Sequence, residues 1–438
     1  MNILLIGQIA LHWGRLEFGN MGNYYIIEPF IREIHRVFPD AAIKTVFQMS
    51  EQFCARENIE VLPMELYYGY RDNELELARQ ELIQAEKVIE GNRTEISLYL
   101  QEVLKADLVL DLSGDMWGDN ADIAGKDRFE VGLIKDRVVQ LLEKPIFMLA
   151  GSPGPFDITA DKLSFAKEVF KKFDIVTNRE PVSKKVLEEY GFDTNNVSTC
   201  ACPSFLFEPV RDEDLINRIK NSFVHPDKPI IGFILCGWNF EETPFSKWPR
   251  DVSEYTKFVA LLESICEHTD ANICLVSHSN GFPIPPAPFE LLHGRDYYVV
   301  EQLYQMMQSR PCADRIALVE DVCDVWHTKG LIGEMDMLVS GRVHGAVAGL
   351  SQCVPTVIID YGQEPKAHKL RGFAELTEQE EYIASPDDVT DMIETVLECW
   401  QQREEVRQKL KKRIPVVQEL ARRNMETVWE CYVEKIGQ

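Results

Sequence analysis

The alternation of short β-branched runs with amphipathic helical patterns is the feature that most constrains the fold of this chain. Asn2 to Ile6 and Asp107 to Leu112 are apolar runs of strand length, and Ile27 to Val37 carries apolar residues three and four apart, as one helical face does. The same alternation of strand-like and helix-like segments begins again at Ile230 and continues to Ile359. Strands that alternate with helices predict parallel sheets, so we expect an α/β protein with two doubly wound, Rossmann-like domains.

A charged stretch from Glu208 to Lys228, which contains two prolines and is followed by a third, predicts the boundary between these domains. We therefore expect an N-terminal domain over residues 1–208 and a C-terminal domain over residues 229–384. Ser385-Pro386 is typical of a helix start, so residues 385–438 are predicted to form a C-terminal tail of two or three helices.

The composition excludes several classes of partner. With 71 acidic against 46 basic side chains, the 438-residue chain has a formal net charge of −25, so neither a nucleic acid nor an anionic membrane is expected as its main partner. The 11 cysteines are scattered, and Cys200-Ala-Cys202 lacks the matching pair of a zinc site, so we predict reduced thiols and no metal. The apolar run Asn2 to Ile6 is shorter than a signal core or a membrane span, so we expect neither there. We expect a cytoplasmic protein without a transmembrane segment; peripheral membrane association and oligomeric state stay open.

The stretch from Asp336 to Arg371 carries the strongest functional pattern. Its apolar runs predict a strand, a tight turn, a short small-residue helix and a second strand, with Arg342 and His344 at the turn. Ligands of open α/β sheets bind at this carboxyl end of a strand, and a helix amino terminus together with an arginine favours an anion. The alternative is that both side chains only cap carbonyls or pair with nearby acids.

Four further loops follow predicted strands and could hold ligand groups. The first combines carboxylates, which bind sugar hydroxyls, with an indole, which stacks on a sugar face, although the same residues are also common in plain turns. The residues of this first loop are Asp115, Trp117, Asp119 and Asn120. In the other three loops, the Ser152 hydroxyl could donate to a phosphate, and the Arg179 guanidinium could bind a ligand or pair with local acids. The His278 imidazole could be a ligand or have a structural role.

Several of these motifs together resemble one family. Ser340-Gly-Arg342-Val-His344, the small-residue helix, Pro355, the strand after it, Tyr361 and a following lysine are similar to the carboxyl-terminal signature of the polysaccharide pyruvyl transferases. Gly19 to Asn23 resembles the family's Asn-x-Gly-Asp element, and Arg179 to Ser183 its Arg-Glu-x-x-Ser element.

Two positions depart from the family pattern. Asn23 stands where the family has an aspartate, and Cys202 replaces the aspartate of an Asp-Pro-Ala-Phe element. Neither residue keeps the negative charge, so retention of the family's activity is left open, and the acceptor could also differ.

The resemblance implies a glycosyltransferase-B-like fold and a transferase that moves pyruvate from phosphoenolpyruvate, its donor substrate, to hydroxyls of a sugar, with no cofactor. The acceptor would belong to a cell-surface polysaccharide or its precursor, free or lipid-linked, and the product would be a ketal. His344 is expected to be catalytic. The expected donor-binding residues are Arg342, Ser340, Lys366, Tyr361, Gly345, Lys369 and His278, with Arg371 an alternative to the two lysines. The expected acceptor-binding or cleft residues are Asn20, Gly22, Asn23, Asp115, Trp117, Asp119, Asn120, Ser152 and Arg179.

Two other functions fit the same residues. A nucleotide-sugar glycosyltransferase would use the same fold and also place a diphosphate at a helix start, and fold alone does not separate the two. A non-catalytic sugar-binding member is compatible with the departures at Asn23 and Cys202. The acceptor sugar, its linkage and any metal dependence are not determined by the sequence.

Overall fold

The computed structural model describes residues 1–9, 19–92, 96–240, 247–283, 286–361 and 368–436. Two compact units divide them. Among the described residues, unit 1 contains residues 1–9, 27–203 and 419–436, and unit 2 contains residues 19–26 and 204–418. The observed division therefore falls at residue 203, and a short N-terminal segment belongs to the second unit.

Unit 1 is built on a parallel sheet of seven strands in the order β3-β2-β1-β4-β5-β6-β7. Its strands are β1 (Asn2–Ile6), β2 (Ala42–Thr45), β3 (Ile59–Val61), β4 (Leu108–Asp111), β5 (Ile146–Gly151), β6 (Ile175–Asn178) and β7 (Val197–Thr199). Its helices are α1 (Met21–Val37), which begins in unit 2, α2 (Glu51–Arg56), α3 (Glu74–Ile89), α4 (Leu98–Lys105), α5 (Asn120–Ile123), α6 (Arg128–Leu141), α7 (Ala160–Phe170) and α8 (Val182–Glu189).

Unit 2 is built on a parallel sheet of six strands in the order β12-β9-β8-β13-β14-β15, with a small antiparallel pair, β10 and β11, beside it. The strands are β8 (Ile230–Ile234), β9 (Asn272–Leu275), β10 (Asn280–Gly281), β11 (Leu292–His293), β12 (Ile316–Leu318), β13 (Met337–Ser340), β14 (Thr356–Ile359) and β15 (Ile383–Ala384). The helices are α9 (Glu213–Ser222), α10 (Thr256–His268), α11 (Arg295–Met307), α12 (Val325–Gly333), α13 (Val343–Leu350), α14 (His368–Thr377) and α15 (Val389–Ile436).

The predicted α/β class with two doubly wound sheets is confirmed. The central strands β4, β8 and β13 are buried at every residue, as expected where helices cover both faces of a parallel sheet. Runs of Leu, Val and Ile therefore identified these strands correctly, because no polar face interrupts them. None of the helices among the described residues is both long enough and apolar enough to cross a membrane.

The C-terminal tail differs from the prediction of two or three helices. It is one helix of 48 residues, α15, with Pro415 inside it. Buried apolar residues continue at helical spacing on both sides of the proline, including Leu410, Ile414, Val417 and Ala421. A proline removes one backbone hydrogen bond, but the continuous apolar face packs against the protein and maintains the helix.

The strand order fixes where ligands can be expected. In unit 1 the order reverses between β1 and β4, and in unit 2 between β8 and β13. A crevice opens beyond the carboxyl ends of the strands at such a switch point. In unit 2 these ends lead into Cys236–Asn239 and into Gly341 and Arg342.

Candidate functional site

Two loops pack against each other at the switch point of unit 2. The Cys236 thiol donates to the carbonyl oxygen of Gly341 at 3.2 Å, and Asn239 Oδ1 accepts from the backbone N–H of Cys236 at 2.9 Å. A Cβ atom on Gly341 would lie 2.1 Å from Asn239 Oδ1, so only glycine fits there without displacing the amide. Burial raises the pKa of the Cys236 thiol to about 12, which keeps it neutral.

The turn after β13 is shaped by Ser340. Its hydroxyl donates to the carbonyl oxygen of Arg342 at 2.9 Å and accepts from the backbone N–H of Arg342 at 3.2 Å, and the residue is fully buried. Gly345 lets α13 approach closely, because a Cβ there would lie 2.7 Å from Ser340 Oγ. The Ser340 hydroxyl thus holds the turn and Gly345 allows close packing, and the donor-binding roles expected for both residues stay predictions.

Arg342 is held by a carboxylate that the sequence analysis did not identify. Its Nε and Nη2 atoms donate to Asp296 at 2.7 and 2.8 Å, and the Asp296 side chain is fully buried. This contact occupies the guanidinium edge that we expected to form two hydrogen bonds with the donor anion. The expectation of a two-point contact between Arg342 and the donor is therefore corrected. Arg342 stays a candidate ligand residue through its charge and its Nη1 group.

His344 lies at the first turn of α13 with the start of α1 against it. A Cβ on Gly22 would lie 2.4 Å from Nδ1 of His344, so the glycine backbone and the imidazole are in close contact. The ring of Phe373 is 6.3 Å away, and His344 is only partly buried. Two motifs more than 300 residues apart in the chain therefore meet in unit 2.

The segment around Gly22 belongs to unit 2 because its aromatic residues pack there. The rings of Tyr24 and Trp326 lie 5.3 Å apart, the rings of Tyr25 and Phe207 lie 4.6 Å apart, and the Tyr25 hydroxyl donates to the carbonyl oxygen of Val325. These contacts correct our placement of the whole N-terminal motif with the first domain. The motif stands beside the residues expected to bind the donor.

Asn20 and Asn23 occupy the start of α1. Asn20 caps the helix, since its Oδ1 accepts from the backbone N–H of Gly22 at 3.0 Å. Its carbonyl oxygen accepts from the backbone N–H of Asn23 at 3.0 Å, and both side chains are partly exposed. The capping role explains why asparagine suits position 20 whether or not the residue also touches a ligand.

Tyr361 follows β14 and lies beside an aromatic and a cationic side chain. Its ring is 6.2 Å from that of Trp238, and Lys369 Nζ lies 5.9 Å from the ring centroid. Arg371 pairs instead with Asp360 at 3.0 Å, so Lys369 is the better placed of these two cations. Lys366, also predicted as donor-binding, lies outside the described residues.

His278 is a buried core residue rather than an accessible donor ligand. It is 1% exposed, packs edge-on against Tyr25 at 5.5 Å, and its Nε2 has no hydrogen-bond partner within the described part of the chain. Burial, and then the nearby charges of Arg342 and Lys329, lowers its pKa to about 3. The imidazole is therefore neutral, and the expectation that it binds the donor is wrong in this structure.

Part of the expected acceptor set comes together in unit 1. Arg179 Nε donates to Ser152 Oγ at 2.8 Å, and Arg179 Nη2 lies 3.7 Å from Asp115 Oδ1. Ser152 in turn donates to Glu180 at 2.9 Å, and Asn120 Nδ2 donates to the backbone carbonyl of Asp115 at 3.2 Å. Within this network the Asp115 side chain is 30% exposed while that of Arg179 is 2% exposed, so Asp115 is its accessible end.

Trp117 contradicts the prediction of a sugar-stacking indole. The residue is fully buried, its Nε1 donates to Asp136 Oδ2 at 3.2 Å, and Phe129 and Phe170 lie 5.5 and 5.4 Å from its ring. Asp119 accepts from the backbone N–H of Asp157 at 3.1 Å, which organises the loop. Apolar neighbours from several elements surround the indole, and a single motif does not reveal them.

Three residues of this site, Arg295, Asp296 and Asn239, were not among the predicted site residues. Arg295 and Asp296 form the first turn of α11, which begins at Arg295. Two signals were available in the sequence. Gly294 precedes a helix and points to Arg295 and Asp296, and Asn239 lies in the loop that follows the strand β8. Among the described residues, no three His, Cys, Asp or Glu side chains are grouped as a metal site would require.

The chain shares its family and its fold with known proteins. The model of the polysaccharide pyruvyl transferase family matches residues 20–363, and no curated protein matches the sequence. A glycosyltransferase from Rickettsia africae is 13% identical with a TM-score of 0.59 over 99% of this chain and 98% of that one. HepE from Anabaena in complex with UDP is 12% identical with a TM-score of 0.56 over 100% of both chains. UDP-GlcNAc 2-epimerase from Methanocaldococcus jannaschii is 15% identical with a TM-score of 0.52 over 90% and 92%. At these identities the likeness shows the glycosyltransferase-B-like fold alone.

Proposed function

Because this chain belongs to the polysaccharide pyruvyl transferase family, we propose that it transfers pyruvate from phosphoenolpyruvate to two hydroxyls of a sugar, forming a ketal. The acceptor would be a residue of a cell-surface polysaccharide or of its precursor. Presentation of that precursor on a lipid, and hence a transient association of a cytoplasmic enzyme with a membrane surface, is part of the proposal.

One observation supports the proposal most directly. The start of α1 and the turn before α13, the two motifs that carry the family resemblance, meet where Gly22 contacts His344. His344 and Arg342 stand at the amino terminus of α13, where backbone N–H groups and the helix dipole favour an anion. Phosphoenolpyruvate carries both a carboxylate and a phosphate, so its charges suit this position.

Pyruvyl transfer requires proton transfer next to the site that binds the phosphoenolpyruvate anion. The methylene carbon of phosphoenolpyruvate takes a proton, and a sugar hydroxyl forms a C–O bond to the adjacent carbon and loses its own proton. The bond from that carbon to the phosphate oxygen then breaks, inorganic phosphate leaves, and a second hydroxyl closes the ketal with loss of its proton. The imidazole of His344 is the group proposed to carry the proton, and Arg342 and Lys369 are proposed to favour the anions.

The test is a coupled assay of phosphate release and acceptor modification. Phosphoenolpyruvate is incubated with the protein and a panel of oligosaccharides, and the product mass and the ketal methyl signal are recorded. We expect His344→Ala to abolish both signals while circular dichroism and the melting temperature stay close to those of the wild type. Wild-type turnover by His344→Ala would remove the histidine from the mechanism.

A nucleotide-sugar glycosyltransferase is the second candidate, favoured by the shared fold. Solved structures of similar fold include one with bound UDP, although a likeness of 12% identity does not transfer that ligand to this chain. Calorimetric titration with phosphoenolpyruvate and, separately, with UDP and GDP distinguishes the two functions. Binding of a nucleotide without binding of phosphoenolpyruvate would favour glycosyl transfer, and saccharide binding without turnover would indicate a non-catalytic member.

A further inference from the structure

The first turn of α11 is fixed against the carboxyl end of β9 and carries the carboxylate that holds Arg342. Asp296 donates its backbone N–H to Ser279 Oγ at 3.1 Å, and Gly294 donates to the carbonyl oxygen of Ser279, also at 3.1 Å. A Cβ on Gly294 would lie 2.4 Å from that oxygen, so the approach requires glycine. This anchoring gives the Asp296 carboxylate a defined position beside the switch point of the sheet.

Arg295 precedes Asp296 and brings a second guanidinium to the same place. Part of its side chain is exposed and part is covered, in contrast to the fully buried carboxylate of Asp296. Loss of water around its charge, and then the nearby Arg342 cation, lowers the pKa of Arg295, while Asp296 opposes this. Cys236 donates to the carbonyl oxygen of Gly341, the residue before Arg342, and Arg342 pairs with Asp296, the residue after Arg295. These groups therefore gather at the carboxyl ends of β8 and β13.

We propose that Arg295 is a ligand-contacting cation of this site, and that Asp296 is a positioning residue that holds the guanidinium of Arg342 beside it. This inference rests on the proposed function and names the residues that receive the donor anion. Asp296 occupies the Nε and Nη2 edge of Arg342, and the exposed Arg295 next to it in the chain adds a second positive charge at the same place.

The two roles have different electrostatic consequences. Arg295→Gln removes a positive charge that a bound anion would contact, so anion affinity falls. Asp296→Asn removes a negative charge, which by itself would strengthen the binding of every anion, and it also releases the guanidinium of Arg342. If Asp296 positions Arg342, Asp296→Asn lowers the preference for phosphoenolpyruvate over inorganic phosphate. If Asp296 acts only through its charge, the variant binds both anions more tightly and the preference stays unchanged.

The experiment measures the affinities of phosphoenolpyruvate, inorganic phosphate and UDP by calorimetry on the full chain. Because Arg295 is exposed, Arg295→Gln should fold normally, and we expect it to weaken binding of the preferred anion about 10- to 100-fold. Asp296→Asn should lower the ratio of phosphoenolpyruvate to phosphate affinity about tenfold, and Asp296→Glu should restore part of it. Asp336→Asn is the matched control, since Asp336 holds the amino end of the same sheet by accepting from the backbone N–H of Ile230.

Each result has a defined meaning. If UDP binds instead of phosphoenolpyruvate and its affinity still depends on Arg295, the inference stands and the proposed function fails. If Arg295→Gln binds the preferred anion as tightly as the wild type, or the wild type binds none of the three anions, the assignment of Arg295 is overturned. An unchanged preference in Asp296→Asn overturns the positioning role.

Discussion

His344 and Gly22 bring the two family motifs into contact. Gly22 lies in the first turn of α1, and its backbone leaves no room for a side chain against the imidazole. The glycine is therefore a packing partner of the proposed proton carrier, although it has no chemistry of its own. Small displacements of a catalytic group reduce rates strongly, because the reacting atoms must meet within a narrow range of distances.

Gly22→Ala should reduce turnover about 10- to 100-fold with little change in melting temperature. The added Cβ would fall 2.4 Å from His344 Nδ1 and push the imidazole away, while alanine suits a helix better than glycine. Gly333→Ala is the control, since its Cβ would meet the Gln352 amide, also in unit 2. Full activity of Gly22→Ala in the phosphate-release assay would argue against a catalytic position for His344.

Arg342→Lys should weaken both donor binding and stability. A lysine loses the two-point contact with Asp296, whose buried carboxylate would then be incompletely paired, at a cost of about 1–3 kcal/mol. Thermal unfolding and donor titration measure the two effects. A variant with unchanged stability and unchanged affinity would show that the Arg342–Asp296 pair serves neither purpose.

At the scale of elements, β4 and α6 bury two carboxyl groups in unit 1. Asp111 ends β4, and Asp136 lies on α6 on the same face as Arg128 and Gly132, each four residues apart. The Gln8 side chain lies across this face, since a Cβ on Gly132 would be 1.9 Å from its Nε2. Burial raises the pKa of Asp111 to about 7, and burial followed by the charge of Asp111 raises that of Asp136.

This carboxyl pair should make unit 1 less stable as the pH rises. The folded state keeps a proton that the unfolded chain releases near pH 3.9. The free energy of unfolding therefore falls as the pH rises from about 3.9 to about 7, where folded Asp111 also loses its proton. Asp111→Asn keeps the shape without the charge, so its melting temperature should fall less than that of the wild type between pH 5.5 and 8.5. The exposed Asp161→Asn serves as control and should follow the wild type. Parallel pH profiles for Asp111→Asn and the wild type would contradict the raised pKa.

At the scale of the whole molecule, α15 contributes to both units. Its residues 389–418 belong to unit 2 and residues 419–436 to unit 1, where Asn424 makes buried hydrogen bonds. Asn424 Oδ1 accepts from the Thr177 hydroxyl at 2.6 Å, and its Nδ2 donates to the carbonyl oxygen of Ala201 at 2.9 Å. The end of the chain thereby holds β6 and the segment after β7.

Asn424→Ala should destabilise unit 1 selectively, by about 1–3 kcal/mol, because it leaves the buried Thr177 and Ala201 groups without these partners. Hydrogen exchange followed by mass spectrometry should show faster exchange in Ile175–Asn178 and unchanged exchange in Met337–Ser340. Thr427→Ala is the control, since the Thr427 hydroxyl donates to the carbonyl oxygen of Arg423 within the same helix. Equal exchange in Asn424→Ala and the wild type would show that α15 does not stabilise this sheet.

The same molecule shows why local patterns predicted some features well. β1 has the predicted bounds, and α13 and β14 follow the turn in the predicted order, because a buried strand or a small-residue helix consists of consecutive residues of one chemical type. His344 and Arg342 were found at the carboxyl end of a strand for the same reason, since the order of strand, turn and helix is local. The family, too, could be recognised from short motifs.

The sequence by itself thus determined the α/β class, the central strands of both sheets and the residues of the turn after β13. Only the tertiary structure decided which partners these residues have. It placed Gly22 against His344, Asp296 on the edge of Arg342 and Trp117 in the core. Those contacts join residues far apart in the chain, and they depend on how many apolar and charged neighbours converge on one point in space, which no local spacing records.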